Sequence, residues 1–234
     1  MGDGHDLPDP ALGVFDTLLV RDGCPVDLGA HVDRLARSVS ELYGVPVEAA
    51  DLRSHITAAA REATSARVRT TYRPSDRTWE VEASEVAEPS LDPRRLAVRR
   101  LPAGLGRHKW VDRRLVADPG DADDVLVVDE RGQVLECGTA NVFVVLRGVV
   151  VTPPLDGRIL PGTVRERVLA MLVGTRRAVE ERELRLAELT QAAEVFTTSS
   201  VRGVQPVTGC VDLAAWAIGP TATWLRAGFV AADS

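Results

Sequence analysis

The sequence predicts an α/β protein, of the α+β kind, built in two halves. Apolar residues recur first at helical and then at alternating spacing, and each half contains both patterns. Between the halves lies Pro102-Ala103-Gly104-Leu105-Gly106, a flexible run suited to a boundary. With 234 residues the chain is long enough for one large domain or two small ones. We place a small N-terminal α/β domain at residues 1–101, an interdomain loop at 102–109 and a larger C-terminal α/β domain at 110–234.

The elements follow in order. Gly13 to Val20 reads as a strand, with Asp22-Gly23 as the turn after it. Asp27 reads as the N-cap of a helix whose apolar face is Leu28, Val32, Leu35, Val39 and Leu42, ended by Gly44 and Pro46. An alanine-rich stretch from about Glu48 to Thr64 predicts a second helix, with Leu52 and Ile56 on one side. Alternating polarity from Ala66 to Arg73 and from Thr78 to Val86 predicts a meander of strands, to which Leu96 to Leu101 adds another.

Beyond the loop, short strands are expected at Val125–Val128, Val134–Glu136, Asn141–Leu146 and Val149–Thr152. Arg131-Gly132 and Arg147-Gly148 serve as turns. A helix is expected from Thr163 to Val173, entered from Pro161-Gly162 and closed by Gly174. Ala178 to Leu184 reads as a strand, Ala187 to Ala193 as a short helix, and Glu194 to Thr198 as a strand. A strand at about Gln205 to Asp212 and a helix at about Pro220 to Ala231 complete the series.

Composition narrows the function classes. A formal charge of -6 argues against a nucleic-acid partner, because phosphate contacts call for the opposite sign. Cys24, Cys137 and Cys210 are odd in number and widely spaced, so neither a zinc site nor a disulfide framework is indicated. Met1 to Asp6 is acidic and lacks the basic start and apolar run of a signal peptide, and no stretch approaches a membrane span. A cytoplasmic enzyme is the expectation.

Among 28 basic residues only Lys109 is lysine. A GC-rich genome accounts for the arginine excess but not for the surviving lysine. Arginine stays protonated at any working pH, whereas a desolvated lysine amine can lose its proton and attack a carbonyl. Lys109 is therefore a candidate for chemistry that arginine cannot perform.

Six segments then occur in a recognisable order. They are Gly13-x-Phe15-Asp16-Thr17, His31-x-x-Arg34-Leu35, Lys109 with Arg113, Glu136-x-x-x-x-Asn141-x-Phe143, Leu160-Pro161-Gly162-Thr163-Val164-Arg165, and Ser199-Ser200 followed by Pro206-Val207. Through them the chain resembles the class IV aminotransferase family, the pyridoxal-phosphate enzymes of fold type IV. The resemblance implies a two-domain fold with pyridoxal 5'-phosphate between the domains and a homodimeric assembly. It assigns Lys109 to the cofactor aldehyde and to proton transfer, and Glu136 to the pyridine nitrogen. Arg34, Asn141, Gly162, Thr163, Val164, Ser199 and Ser200 are assigned to the rest of the cofactor, chiefly its phosphate. A carboxylate beside the ring nitrogen keeps it protonated, and the start of a helix favours an anion. The family commonly has threonine where Val164 stands, so a hydroxyl contact there must come from Thr163. His31 is expected to pack or cap, and His108 adjoins the lysine.

The resembled family includes branched-chain and D-amino-acid aminotransferases and 4-amino-4-deoxychorismate lyase. Lys109-Trp110-Val111-Asp112-Arg113 and Ser199 to Val204 look like the lyase group. On this reading the small-molecule substrate loses pyruvate to give 4-aminobenzoate, for folate synthesis or a secondary product. The alternative is an aminotransferase acting on branched-chain or D-amino acids with 2-oxoglutarate. A substrate with two carboxylates needs cationic anchors, for which Arg107 and Arg202 are candidates. Thr17 is a candidate catalytic hydroxyl that hands a proton to the departing group.

Overall fold

The computed structural model describes residues 7–86, 92–173, 175 and 177–232, and so excludes Met1 to Asp6 and the expected helix terminator Gly174. A four-stranded sheet opens the chain. β1 (Val14–Arg21) pairs antiparallel with β2 (Cys24–Pro25) and with β3 (Ser65–Arg73), and β3 pairs with β4 (Thr78–Glu85). Two helices, α1 (Leu28–Tyr43) and α2 (Ala49–Ala60), cover it.

The period-2 alternation of β1 sorts its side chains. Val14, Leu18 and Val20 pack with Val32, Leu35 and Val39 of α1 and with Leu52 and Ile56 of α2. Each such fully buried aliphatic side chain contributes about 1.5–3 kcal/mol. Phe15 and Thr17, on the opposite face, line a cavity. Gly13, just before β1, adopts φ +95°, and a Cβ there would lie 2.1 Å from the Tyr72 carbonyl oxygen. Only glycine fits that position.

Asp27 does not cap α1. Its backbone is left-handed and its side chain makes no capping bond; the carboxylate instead accepts from Arg167 Nη1 at 2.9 Å. A charged partner from the other half of the molecule outcompetes the local amide.

The second sheet holds ten strands among the described residues. They are β5 (Arg94–Arg100), β6 (Asp124–Val128), β7 (Gln133–Cys137), β8 (Asn141–Leu146), β9 (Val149–Thr152), β10 (Ala178–Glu181), β11 (Leu184–Arg185), β12 (Glu194–Ser199), β13 (Gly203–Cys210) and β14 (Ala214–Ala215). The spatial order is β10-β9-β8-β12-β13-β5-β6-β7-β11, with β14 on β13. Helices α3 (Thr163–Leu172) and α4 (Pro220–Ala232) complete this half. Valine-rich β6 and β8 are almost wholly buried, as strands covered on both faces should be.

Two boundaries differ from the sequence reading. Residues 94–100 leave the first half: β5 runs parallel to both β6 and β13, with Leu96 opposite Asp124 and Cys210. They join the second sheet rather than the first meander, because a strand's sheet is decided by partners far away in sequence. The expected strand from Ala178 to Leu184 is two strands, β10 parallel to β9 and β11 antiparallel to β7, at opposite ends of the sheet order. Only Arg182 and Glu183 separate them. Three peptide steps reach roughly 10 Å, so the sheet curls until its two edges nearly meet. No helix of the described residues is long and apolar enough to cross a membrane.

Candidate active site

The two sheets meet around a cavity of about 640 Å³, within the range that encloses a cofactor with substrate. Lys109 stands on its wall, held through its own backbone. Phe15 N–H donates to the Lys109 carbonyl at 2.9 Å, and Val111 N–H donates to the Gly13 carbonyl at 3.0 Å. Trp110 Nε1 ties the same segment to the Leu105 carbonyl at 2.8 Å. The amine lies 5.2 Å from the Phe15 ring centroid. Burial lowers its pKa to about 8; Asp16 opposes that shift, while Arg34, Arg113 and Arg69 add to it. Lys109 therefore releases its proton near neutral pH, which a nucleophilic amine requires.

Leu160-Pro161-Gly162 joins three of the sequence motifs. Leu160 N–H donates to Glu136 Oε2 at 3.2 Å, and the Leu160 carbonyl accepts from Asn141 Nδ2 at 2.9 Å. The Pro161 carbonyl accepts from Arg34 Nη1 at 2.9 Å. A Cβ on Gly162 would lie 2.0 Å from Asn141 Oδ1, so the residue must be glycine for Asn141 to sit there. Glu136 is the next-to-last residue of β7 and Asn141 opens β8. The turn between them is gripped by Asp124, which accepts from Thr139 N–H at 3.1 Å and from its hydroxyl at 2.5 Å, and by Arg113, which donates to the Gly138 carbonyl.

Glu136 is buried, and burial raises its pKa to about 8, against the lowering by the Leu160 amide, Arg113 and Lys109. Its second oxygen, Oε1, has no hydrogen-bond partner in the described structure.

At the far end of the cavity, Thr163 Oγ1 lies 3.3 Å from His31 Nε2 and 3.4 Å from Ser200 Oγ. Gly162, Thr163 and Val164 open α3 towards the same space, and Ser199 and Ser200 end β12 there. Val164 brings only an apolar side chain, so Thr163 supplies the hydroxyl at this helix start. Arg34 is buried and shares Asp16 with His31: Arg34 Nε and Nη2 each donate at 2.9 Å, and His31 Nδ1 lies at 2.7 Å. His31 is thus a bonded member of the wall, and His108 lines the cavity with Nδ1 3.1 Å from Ser38 Oγ.

The structure brings Lys109, Thr17, Glu136, Arg34, Asn141, Gly162, Thr163, Val164, Ser199, Ser200 and Arg202 around one cavity. It does not bring Arg107 there. That side chain is 63% exposed and pairs with Glu41 at 3.5 Å, whereas His108 and Lys109, which follow it, line the cavity. Sequence reasoning missed the cations that do line the space, Arg67 and Arg69. Their period-2 spacing on β3, across from Leu19 and Thr17 of β1, was the available signal. It also gave Asp16 no role, although one acidic residue inside an apolar strand marks a paired buried charge.

A phosphorylated pyridine aldehyde requires an amine, a carboxylate with an open oxygen, and a cradle of amides and hydroxyls. Two buried side-chain atoms without partners in the described structure, Glu136 Oε1 and Thr198 Oγ1, belong to residues that line this cavity. They lie with a half-buried amine and a helix start, and the set fits such a group.

Comparison with known proteins agrees. The family model for amino-transferase class IV matches residues 13–210. A relative from Thermotoga maritima, named a "probable branched-chain-amino-acid aminotransferase", is 41% identical over 87 residues, 37% of this chain and 32% of that protein. The chain thus matches less than a third of the length of the first curated relatives. A fold IV transaminase from Curtobacterium pusillum is 26% identical with a TM-score of 0.81, over 93% of this chain and 85% of that one. A 4-amino-4-deoxychorismate lyase from Pseudomonas aeruginosa is 26% identical with a TM-score of 0.76, over 94% and 90%. The fold is that of fold type IV enzymes, and the family is pyridoxal-phosphate-dependent.

Proposed function

From the premise that this chain belongs to the class IV aminotransferase family, we propose that it is a lyase, releasing pyruvate from 4-amino-4-deoxychorismate to leave 4-aminobenzoate. One observation carries the reading: Arg67, Arg69, Arg113 and Arg202 line the cavity, and none of them forms an ion pair among the described residues. Burial lowers the pKa of Arg69, Arg113 and Arg202, with Arg67 adding to the effect on Arg69 and Arg94 to that on Arg202. Glu136 is the sole carboxylate among the lining residues. Unmatched guanidinium groups of this kind favour a substrate bearing more than one carboxylate.

In this reading Lys109 holds the cofactor aldehyde and takes the proton from the amine-bearing carbon of the substrate. Glu136 Oε1 holds the ring nitrogen in its protonated form. Arg34, Thr163, Ser199, Ser200 and the amides of Gly162 to Val164 hold the phosphate, and Asn141 positions Leu160 and Gly162 for it. When bound, pyridoxal phosphate supplies an electron sink for the carbanion formed at that carbon. Thr17 protonates the departing enolpyruvyl group, while Arg202 with Arg67 and Arg69 anchors the carboxylates. An unchanged turnover in Thr17→Val removes that role.

A second reading, an aminotransferase acting on branched-chain or D-amino acids, draws on the relatives' names and on the apolar wall of Phe15, Val86 and Leu105. The test offers the enzyme aminodeoxychorismate and, separately, amino acids with 2-oxoglutarate. Release of pyruvate with 4-aminobenzoate supports the lyase; glutamate formation without pyruvate release overturns it. We also propose a homodimer, on the resemblance, to be checked by light scattering.

A further inference from the structure

Four side chains from β1, α1, α3 and the turn after β12 form a chain inside the cavity wall. Asp16 Oδ1 lies 2.7 Å from His31 Nδ1, and His31 Nε2 lies 3.3 Å from Thr163 Oγ1. Thr163 Oγ1 in turn lies 3.4 Å from Ser200 Oγ. Asp16 is an anion, since Arg34 donates to both of its oxygens. A carboxylate oxygen so close to a bare nitrogen lone pair would be repelled, so Nδ1 carries a proton and donates it to Asp16. Arg34 Nη2, 3.4 Å from the same nitrogen, is itself a donor and finds no lone pair there.

That choice leaves Nε2 facing Thr163 and sets the direction of every proton beyond it. With one proton on the ring, Nε2 accepts and Thr163 spends its only proton on it. The Thr163 oxygen is then an acceptor for Ser200, and both hydroxyl protons are used within the wall. With a second proton on Nε2 the order reverses: His31 donates to Thr163, and both hydroxyl protons are released to an anion in the cavity. Charge points the same way. Asp16 cancels Arg34, so these two and His31 carry no net charge until His31 gains that proton. Asp16 favours the added charge. Arg34 opposes it, as do Arg21, Arg167, Arg202 and Arg226 of the small recess that His31 also lines, where Asp27 is the carboxylate. A phosphate dianion beside Thr163 tips this balance towards the cation.

We infer, given the phosphate cradle proposed above, that His31 is a positioning residue for the phosphate of the cofactor. It takes up a proton from solvent on Nε2 as the phosphate arrives, and so turns Thr163 and Ser200 from acceptors into donors. Asp16 thereby gains a second task, that of fixing which nitrogen of His31 faces the cradle.

The experiment follows apoprotein labelled with 15N-histidine by NMR at about pH 8, above the ordinary histidine range. His31→Gln identifies the His31 signals among the four histidines. Pyridoxal phosphate and, separately, pyridoxal are added, with absorbance reporting their capture by Lys109. Before addition, Nδ1 should be protonated and Nε2 bare. Pyridoxal phosphate should protonate both nitrogens, whereas pyridoxal, which lacks the phosphate, should leave Nε2 bare. In His31→Gln the affinity advantage of pyridoxal phosphate over pyridoxal should fall about tenfold, whereas a merely structural lesion weakens both alike. Thr163→Val should lose the same advantage and leave His31→Gln little more to remove. If Nε2 stays bare in coloured protein, is protonated equally by pyridoxal, or is already protonated in apoprotein, the inference falls and the cofactor reading stands. Absence of colour with both compounds overturns the cofactor reading and this inference together.

Discussion

Asp16 and Glu136 are two carboxylates with the same 4% exposure, and the protein treats them in opposite ways. Asp16 accepts four hydrogen bonds, from Thr17 N–H, His31 Nδ1 and two nitrogens of Arg34. Burial alone would raise its pKa, but Arg34 and then His31 reverse that and hold it well below the usual carboxylate range. Glu136 accepts one hydrogen bond and keeps an oxygen without a partner. Burial then prevails, and its pKa rises to about 8. The same depth produces a permanent anion in one place and a proton-holding acid in the other. What separates them is the number of donors the fold supplies. Asp16 is finished by its own chain, whereas Glu136 is left for something to be bound.

The largest effect expected is at Asp16. Asp16→Asn leaves Arg34 as an unpaired buried cation and should cost about 3–5 kcal/mol of stability. At about 2–4 °C per kcal/mol for a chain of this size, calorimetry should show the melting midpoint fall by roughly 10 °C. Glu136→Gln is isosteric at a carboxylate with few partners, so its midpoint should not fall, and near neutral pH it should rise because the cost of keeping a proton on Glu136 is removed. Its turnover should drop on the order of a hundredfold to a thousandfold, the scale for removing one preorganised electrostatic partner. An equal loss of stability in both variants would erase the distinction.

The pH dependence of the apoprotein sharpens the contrast. Between the ordinary glutamate value of 4.5 and about 8, folded Glu136 keeps its proton and the unfolded chain does not. Stability attributable to it is thus full below 4.5 and falls as pH rises to about 8. Asp16 runs the other way: its contribution is full above the ordinary aspartate value of 3.8 and is lost only in strong acid. Urea midpoints of apoprotein at about pH 5 and about pH 8 should decline in wild type and stay level in Glu136→Gln. Lys109 gives a smaller signal. With its pKa lowered to about 8 from 10.5, the rate of cofactor uptake should level off above about pH 8, as followed by absorbance. Smallest is Thr17→Val: on the lyase reading proposed above it should slow pyruvate release about tenfold, less than the full effect of a general acid because water can take the hydroxyl's place, and leave cofactor binding intact.

Sequence legibility followed the same division. Residues whose partners lie close in the chain or in fixed motifs were readable: Gly13, Arg34, Lys109, Glu136, Asn141 and Gly162 were singled out, and each stands in the cavity wall or beside it. The spacing from Glu136 to Asn141 is that of a short turn joining two consecutive strands, β7 and β8, which a single sequence displays. What the sequence did not show depends on long-range placement. Arg107 and Arg69 are both arginines near apolar residues, yet one pairs with Glu41 at the surface and the other lies 3.8 Å over the Phe15 ring. Only the register of β3 against β1 separates them. β5 was misplaced for the same reason, since its partners are β6 and β13 rather than the strands before it.

The hydrogen bonds that fix Lys109 to β1 also have a consequence for how the molecule is made. Phe15 and Lys109 are bonded across nearly the whole first half of the chain, and the Leu160 amide on Glu136 and the Pro161 carbonyl on Arg34 tie in the second half as well. Closing such long loops comes late in folding, because their entropy is spent before distant contacts repay it. A chain still emerging from the ribosome, or one with either half unravelled, has no place to keep the cofactor. Cofactor colour in a lysate would therefore count completed molecules rather than total protein, and the vitamin supply would set how many of them persist, since a ligand that binds only the native form draws the population towards it.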